Sequence, residues 1–129
     1  MILDSSAVIA ILFQEPEAPA FTRAITHSED VRISAATLVE ITAVLASRSA
    51  ALEDVADDLL AGFSPVVEPL TERQSDIARQ AFRNYGRGSG HPAGLNFGDC
   101  FSYALSKDLD MPLLYKGDDF AHTDVRRAL

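Results

Sequence analysis

Three stretches of this chain each carry one charged side chain, and in each it is an acid. Residues 1–14 hold only Asp4, residues 33–47 only Glu40, and residues 88–106 only Asp99 with His91 neutral. In a chain with 23% charged residues, windows this poor in charge are not solvated surface. Each of these carboxyls is therefore expected to be at least partly buried. Burying an isolated carboxylate costs several kcal/mol unless it is paired, hydrogen-bonded, protonated or bound to a cation. For Glu40 the helical neighbours at three and four residues are Thr37, Ala43, Ala36 and Val44, so no local ion pair compensates it. A divalent cation held by several lone acids at once would stabilise all of them, and hard ions such as Mg²⁺ take oxygen ligands of this kind. The chemistry of such a cluster is phosphoryl chemistry, in which a cation positions water, neutralises the attacked phosphate and stabilises the leaving oxygen.

Taken singly, each acid has an ordinary structural explanation. Asp4 is placed to cap a helix starting at Ser5, and Asp99, three after Asn96, to close a capping box. Asp118 and Asp119 lie in a Gly-Asp-Asp turn, and Glu40 could meet a distant arginine. The coincidence of all of them carries the functional reading.

The elements that would position these acids alternate. Short strands are expected at Met1–Asp4, Val31–Ser34, Val66–Glu68 and Pro112–Tyr115. Helices are expected from Ser5 to Phe13, Glu17 to Thr26, Ala35 to Arg48, Leu52 to Phe63, from Thr71 to about Tyr85, and from Asn96 to Leu109. Apolar positions 52, 55, 59, 60 and 63 form one stripe, with Glu53, Asp54, Asp57 and Asp58 on a solvated face. Residues 86–94 read as a Gly-rich loop. This order predicts an α/β sandwich with a mainly parallel sheet, whose ligands gather beyond the carboxyl ends of the strands. Asp4 and the Asp118–Asp119 turn fall at such ends. With 129 residues, no repeat and no linker, one domain spanning 1–129 is expected.

Composition sets further bounds. Eleven basic against 19 acidic residues give a net charge of −8, which argues against a nucleic-acid binder working through a basic surface unless bound cations alter the local field. A single cysteine, Cys100, excludes an internal disulfide and makes the cytoplasm the expected compartment. The apolar N-terminal run lacks the basic flank of a signal peptide, and residues 88–106 hold too many glycines and polar groups to span a bilayer. Cys100 is expected to pack rather than to attack. His27, His91 and His122 lack zinc-type spacing, and there is no Gly-Lys-Ser/Thr phosphate loop. Arg83, Tyr85 and Arg87, with Lys116 and Arg126–Arg127, are candidates to bind phosphates or stack a base.

Asp4-Ser-Ser6, Glu40 after Ile33-Ser-Ala-Ala-Thr-Leu-Val39, Leu95-Asn-Phe-Gly-Asp-Cys-Phe-Ser-Tyr-Ala104 and Pro112-Leu-Leu-Tyr-Lys-Gly-Asp-Asp-Phe120 together resemble the PIN-domain ribonuclease toxins of the VapC type, along the whole chain. The resemblance implies a PIN-like three-layer sandwich and a Mg²⁺- or Mn²⁺-dependent endoribonuclease cutting single-stranded or looped RNA, often tRNA or ribosomal RNA, with 5′-phosphate and 3′-hydroxyl products. It also implies a homodimer silenced by a VapB-type antitoxin, which alone would contact DNA. By position it makes Asp4, Glu40 and Asp99 the first three acids, Asp4 and Asp99 the principal metal ligands, and Ser6 the residue orienting Asp4. Glu40 would hold or deprotonate the attacking water. For the fourth acid the family pattern favours Asp119 over Asp118. Two rival readings are a receiver-like Mg²⁺-binding phosphoacceptor and a catalytically silent PIN fold serving as an interaction subunit.

Overall fold

The computed structural model describes residues 1–129, the side chain of residue 50 excepted. Its strands are β1 (Ile2–Leu3), β2 (Arg32–Ser34), β3 (Val66–Glu68) and β4 (Leu113–Leu114); its helices are α1 (Ser5–Leu12), α2 (Ala18–Thr26), α3 (Ala35–Ala46), α4 (Ala50–Phe63), α5 (Glu72–Tyr85) and α6 (Asp99–Leu109). A 3₁₀ turn spans Asp119–His122.

Four strands form one all-parallel sheet in the order β3-β2-β1-β4. Ile2 pairs with Arg32 on one side and with Leu113 on the other, and Leu3 pairs with Leu114. Because side chains alternate across a strand, Leu3, Ile33 and Leu114 pack on one face with α1, α2, α3 and α4. Ile2, Leu113 and Tyr115 pack on the other with α5 and α6. The result is the helix–sheet–helix sandwich expected from the alternation of elements.

Connections between parallel strands are helical, so consecutive strands point the same way and their carboxyl ends share one edge. Asp4 leaves β1 at that edge, Ser34 ends β2 there, and the turn from Lys116 to Asp119 leaves β4 there. Ser34 caps α3, its hydroxyl accepting from the Ala36 N–H at 3.2 Å, so α3 starts without a loop and carries Glu40 back over the edge.

Two boundaries differ from the sequence expectation for local reasons. The last helix opens at Asp99 rather than Asn96, because Asn96 Oδ1 accepts from the Asp99 N–H at 2.9 Å while Asp99 Oδ2 accepts from the Asn96 N–H at 2.7 Å. This reciprocal cap lies outside the helix proper. On α4 the residue turned into the core is Ala56, whereas Val55 is 51% exposed. The small side chain of Ala56 lets α4 approach α1 and α3, while Leu52, Leu59, Leu60 and Phe63 pack against the core as the stripe predicts, so that position 55 alone departs from it.

Candidate active site

Asp4 is fully buried, and both of its oxygens are occupied by protein donors. Oδ2 accepts from the Ser6 N–H at 2.9 Å and from the Ser6 hydroxyl at 2.5 Å, and Oδ1 accepts from the Ser102 hydroxyl at 2.5 Å. The first of these bonds is the expected helix cap. Ser6 is itself held, because its Oγ accepts from the Lys116 N–H at 3.0 Å beyond the end of β4. These donors offset the cost of placing a carboxyl group in the interior.

Asp99 is also buried. Its carboxyl is raised to about 7, first by burial, against which the Asn96 N–H acts; the charges of Asp4 and Asp119 raise it further and Arg87 opposes them. Glu40 is likewise raised to about 7, by burial first, then by Asp4 and Asp99, with the Ser5 hydroxyl acting the other way. Glu40 Oε2 is buried with no hydrogen-bond partner, and among the described residues no basic side chain pairs with this carboxylate. Burial and like charge therefore act on the same groups, the pattern that separates a working cluster from solvated acids.

The structure thus brings Asp4, Glu40 and Asp99 together, with Asp119 within electrostatic reach of Asp99. Asp118 is exposed ahead of the 3₁₀ turn and makes no side-chain cap. Arg87 faces Asp99. Arg83 lines a groove between α5 and α6 instead. The Lys116 ammonium is engaged by Glu15 at 2.5 Å and Glu17 at 3.6 Å. Cys100 is buried and its thiol is raised to about 11, by burial and then by Asp99, so it stays protonated and packs. Two residues escaped the sequence reading. Ser102 sits three after Asp99, on the same face of α6, and Ser5 precedes the Ser6 that the motif singles out; neither differs in type from an ordinary helix serine.

Gly98 explains how Glu40 reaches the cluster. A Cβ at position 98 would collide with the Glu40 carboxylate, so only glycine leaves room for that side chain against the start of α6. The clash is with the end of a flexible side chain, not with backbone. Gly98→Ala is therefore expected to fold, with a thermal midpoint within a few degrees of wild type, yet to displace Glu40. Activity reduced about as far as by loss of Glu40 itself, in a protein of normal circular dichroism, is the expected measurement.

A divalent cation suits these donors. Among the described residues no three of His, Cys, Asp and Glu are placed to hold a metal ion together, but a Mg²⁺-sized ion keeps much of its water and needs only one or two carboxylates. The unpartnered Glu40 oxygen and the raised carboxyls are what such an ion would relieve.

Comparison with known proteins agrees with this fold. Residues 1–126 match the family model of the PIN domain. Ribonuclease VapC28 of Mycobacterium tuberculosis is 52% identical over 130 residues, covering 100% of this chain and 98% of the relative. Ribonuclease VapC42 of the same species is 44% identical over 129 residues, covering 99% and 98%. Among solved structures, the M. tuberculosis VapC20 Sarcin-Ricin loop cleaving toxin superposes with a TM-score of 0.73 at 18% identity, covering 96% of this chain and 95% of that one. A toxin–antitoxin complex from Klebsiella pneumoniae gives 0.70 at 14% identity, covering 95% and 92%.

Proposed function

The chain belongs to the PIN domain family, among its VapC ribonucleases, and from that premise we propose that Asp4, Glu40, Asp99 and Asp119 form the catalytic site of an endoribonuclease toxin working with Mg²⁺ or Mn²⁺. The observation that carries this reading is the convergence of three lone acids from β1, α3 and α6 on one sheet edge, with a buried Glu40 oxygen left unpartnered. Membership in this family also sets aside the receiver-like alternative.

Asp4 and Asp99 would hold the cation, and Asp119 would add charge from the exposed rim. Bound there, a divalent ion offsets the phosphate charge, favours ionisation of the attacking water and stabilises the leaving oxygen. Glu40, raised to about 7, is suited to take a proton from that water near neutral pH. Water oxygen bonds to phosphorus, the bond from phosphorus to the 3′ oxygen breaks, and that oxygen leaves with a proton taken from solvent as a 3′-hydroxyl, the phosphate staying on the 5′ end. Arg87, beside Asp99, is positioned to hold a backbone phosphate in a protein whose net charge of −8 otherwise repels RNA.

The test is incubation with a mixed RNA pool. Cleavage in Mn²⁺ that EDTA removes, with 5′-phosphate ends, is the expected result; cleavage that persists in EDTA overturns the assigned chemistry.

The same reading supplies the partners. One similar structure is that of a cleaving toxin and another is a toxin–antitoxin complex, so an antitoxin of the VapB type is proposed as inhibitor, in the cytoplasm where the RNA lies. A homodimer is proposed through the groove of about 540 Å³ between α5 and α6, where Leu70, Phe82, Phe97 and Phe101 line an apolar surface. Phe97 is 75% exposed, unusual for an isolated monomer. Phe97→Asp is expected to give a monomer by light scattering at concentrations where wild type is dimeric.

A further inference from the structure

A serine inside a helix usually returns its hydroxyl proton to the carbonyl three or four residues back. Ser102 has that option, with the Asp99 carbonyl at 3.1 Å, but its shorter contact is to Asp4 Oδ1 at 2.5 Å, 98 residues away in sequence. A hydroxyl has one proton, and a charged acceptor takes it in preference to a neutral one. Both groups are fully buried, so no water competes for the bond. Ser6 holds the other oxygen of Asp4 from α1. The Asp4 carboxylate is therefore pinned on one side by its own helix and on the other by the helix that Asp99 opens.

Since α6 is rigid over its first turn, the Ser102 hydroxyl stands at a set distance from Asp99. A carboxylate bonded to it is held at a set distance from Asp99 as well. Without that hydroxyl, Asp4 keeps only its Ser6 contacts and is free to rotate its second oxygen away. From this geometry we propose that Ser102 is a positioning residue that fixes the Asp4 carboxylate relative to Asp99 and thereby sets the affinity of the pair for a divalent cation. The proposal rests on the reading that Asp4 and Asp99 hold that cation.

The test compares Ser102→Thr with Ser102→Val, which add the same branched volume but differ in the hydroxyl. Any packing cost is shared, and Ser102→Ala, which adds no volume, repeats the measurement if the branched pair does not fold. Mn²⁺ affinity by titration calorimetry on the metal-free protein is the readout. Ser102→Thr is expected to bind close to wild type, and Ser102→Val and Ser102→Ala about 10- to 100-fold more weakly, the usual effect of removing a group that orients a ligand. RNA cleavage by Ser102→Val should then recover as Mn²⁺ is raised, which a purely structural loss would not allow. Equal affinities for the Thr and Val variants, or for Ala and wild type, overturn the proposal. Asp4→Asn separates the two claims. If it abolishes Mn²⁺ binding while Thr and Val match, only the role of Ser102 fails; if it binds Mn²⁺ like wild type, the cation reading fails with it.

Discussion

Glu40→Gln and Asp99→Asn are each expected to remove RNA cleavage while making the metal-free protein more resistant to heat at pH 8. Both carboxyls titrate near 7 because burial and neighbouring acids disfavour their charge, so at pH 8 the folded protein carries ionised groups that the unfolded chain would hold at lower cost. An amide of the same shape removes that repulsion. An amide oxygen at position 99 can still accept from the Asn96 N–H. A rise of roughly 3–6 °C in thermal midpoint is expected, what about 1 kcal/mol produces in a domain of this size. Activity should fall more than about 100-fold, since even groups that only orient a metal ligand are worth 10- to 100-fold. Opposite signs for stability and function are the mark of a site held under electrostatic strain. A lower midpoint for both variants would mean that these acids are already satisfied by protein partners, and the catalytic assignment would fall with that result.

Heat resistance of the metal-free wild type should decline as pH rises from 5 to 8. Glu40 and Asp99 both have folded values of about 7, above their unfolded values of 4.5 and 3.8. Between those limits the folded state binds more protons than the unfolded state, so stability falls with rising pH and levels off above about 7. Saturating Mg²⁺ or Mn²⁺ removes the reason for protonation, and the fall should disappear or reverse, the cation displacing protons as it binds. Scanning calorimetry at pH 5.5 and pH 8, in EDTA and in Mn²⁺, gives the four midpoints. A midpoint in EDTA that increases over this range, or a decline of equal size in Mn²⁺, contradicts the cluster. In Glu40→Gln the pH dependence in EDTA should be shallower, because one of the two groups no longer titrates.

The fold was readable because its determinants are local. Apolar runs at residues 1–3, 31–34 and 112–115 alternate with helical stripes, and parallel strands joined by helices leave few topologies. The candidate acids were readable for a different reason, the absence of charge around them, which a linear sequence displays directly. What stayed hidden at this level was the choice between equivalent residues. Asp118 and Asp119 share a turn, and of the two it is Asp119 whose charge acts on Asp99 once the chain is folded. Lys116 looked free to meet phosphate, yet its ammonium is taken by Glu15 and Glu17.

By itself the sequence determined the class of fold and which acids lack a compensating base nearby in the chain, because periodicity and charge spacing are properties of neighbours along it, while the family was carried by the likeness of four short motifs. The tertiary structure alone decided the geometry of the cluster. It determined that Ser102 rather than any other hydroxyl of α6 reaches Asp4, that Gly98 leaves room for Glu40, and that one Glu40 oxygen is buried without a partner. These are contacts between residues dozens of positions apart, and their energies depend on burial and distance, which exist only once α3 and α6 close over the end of the sheet.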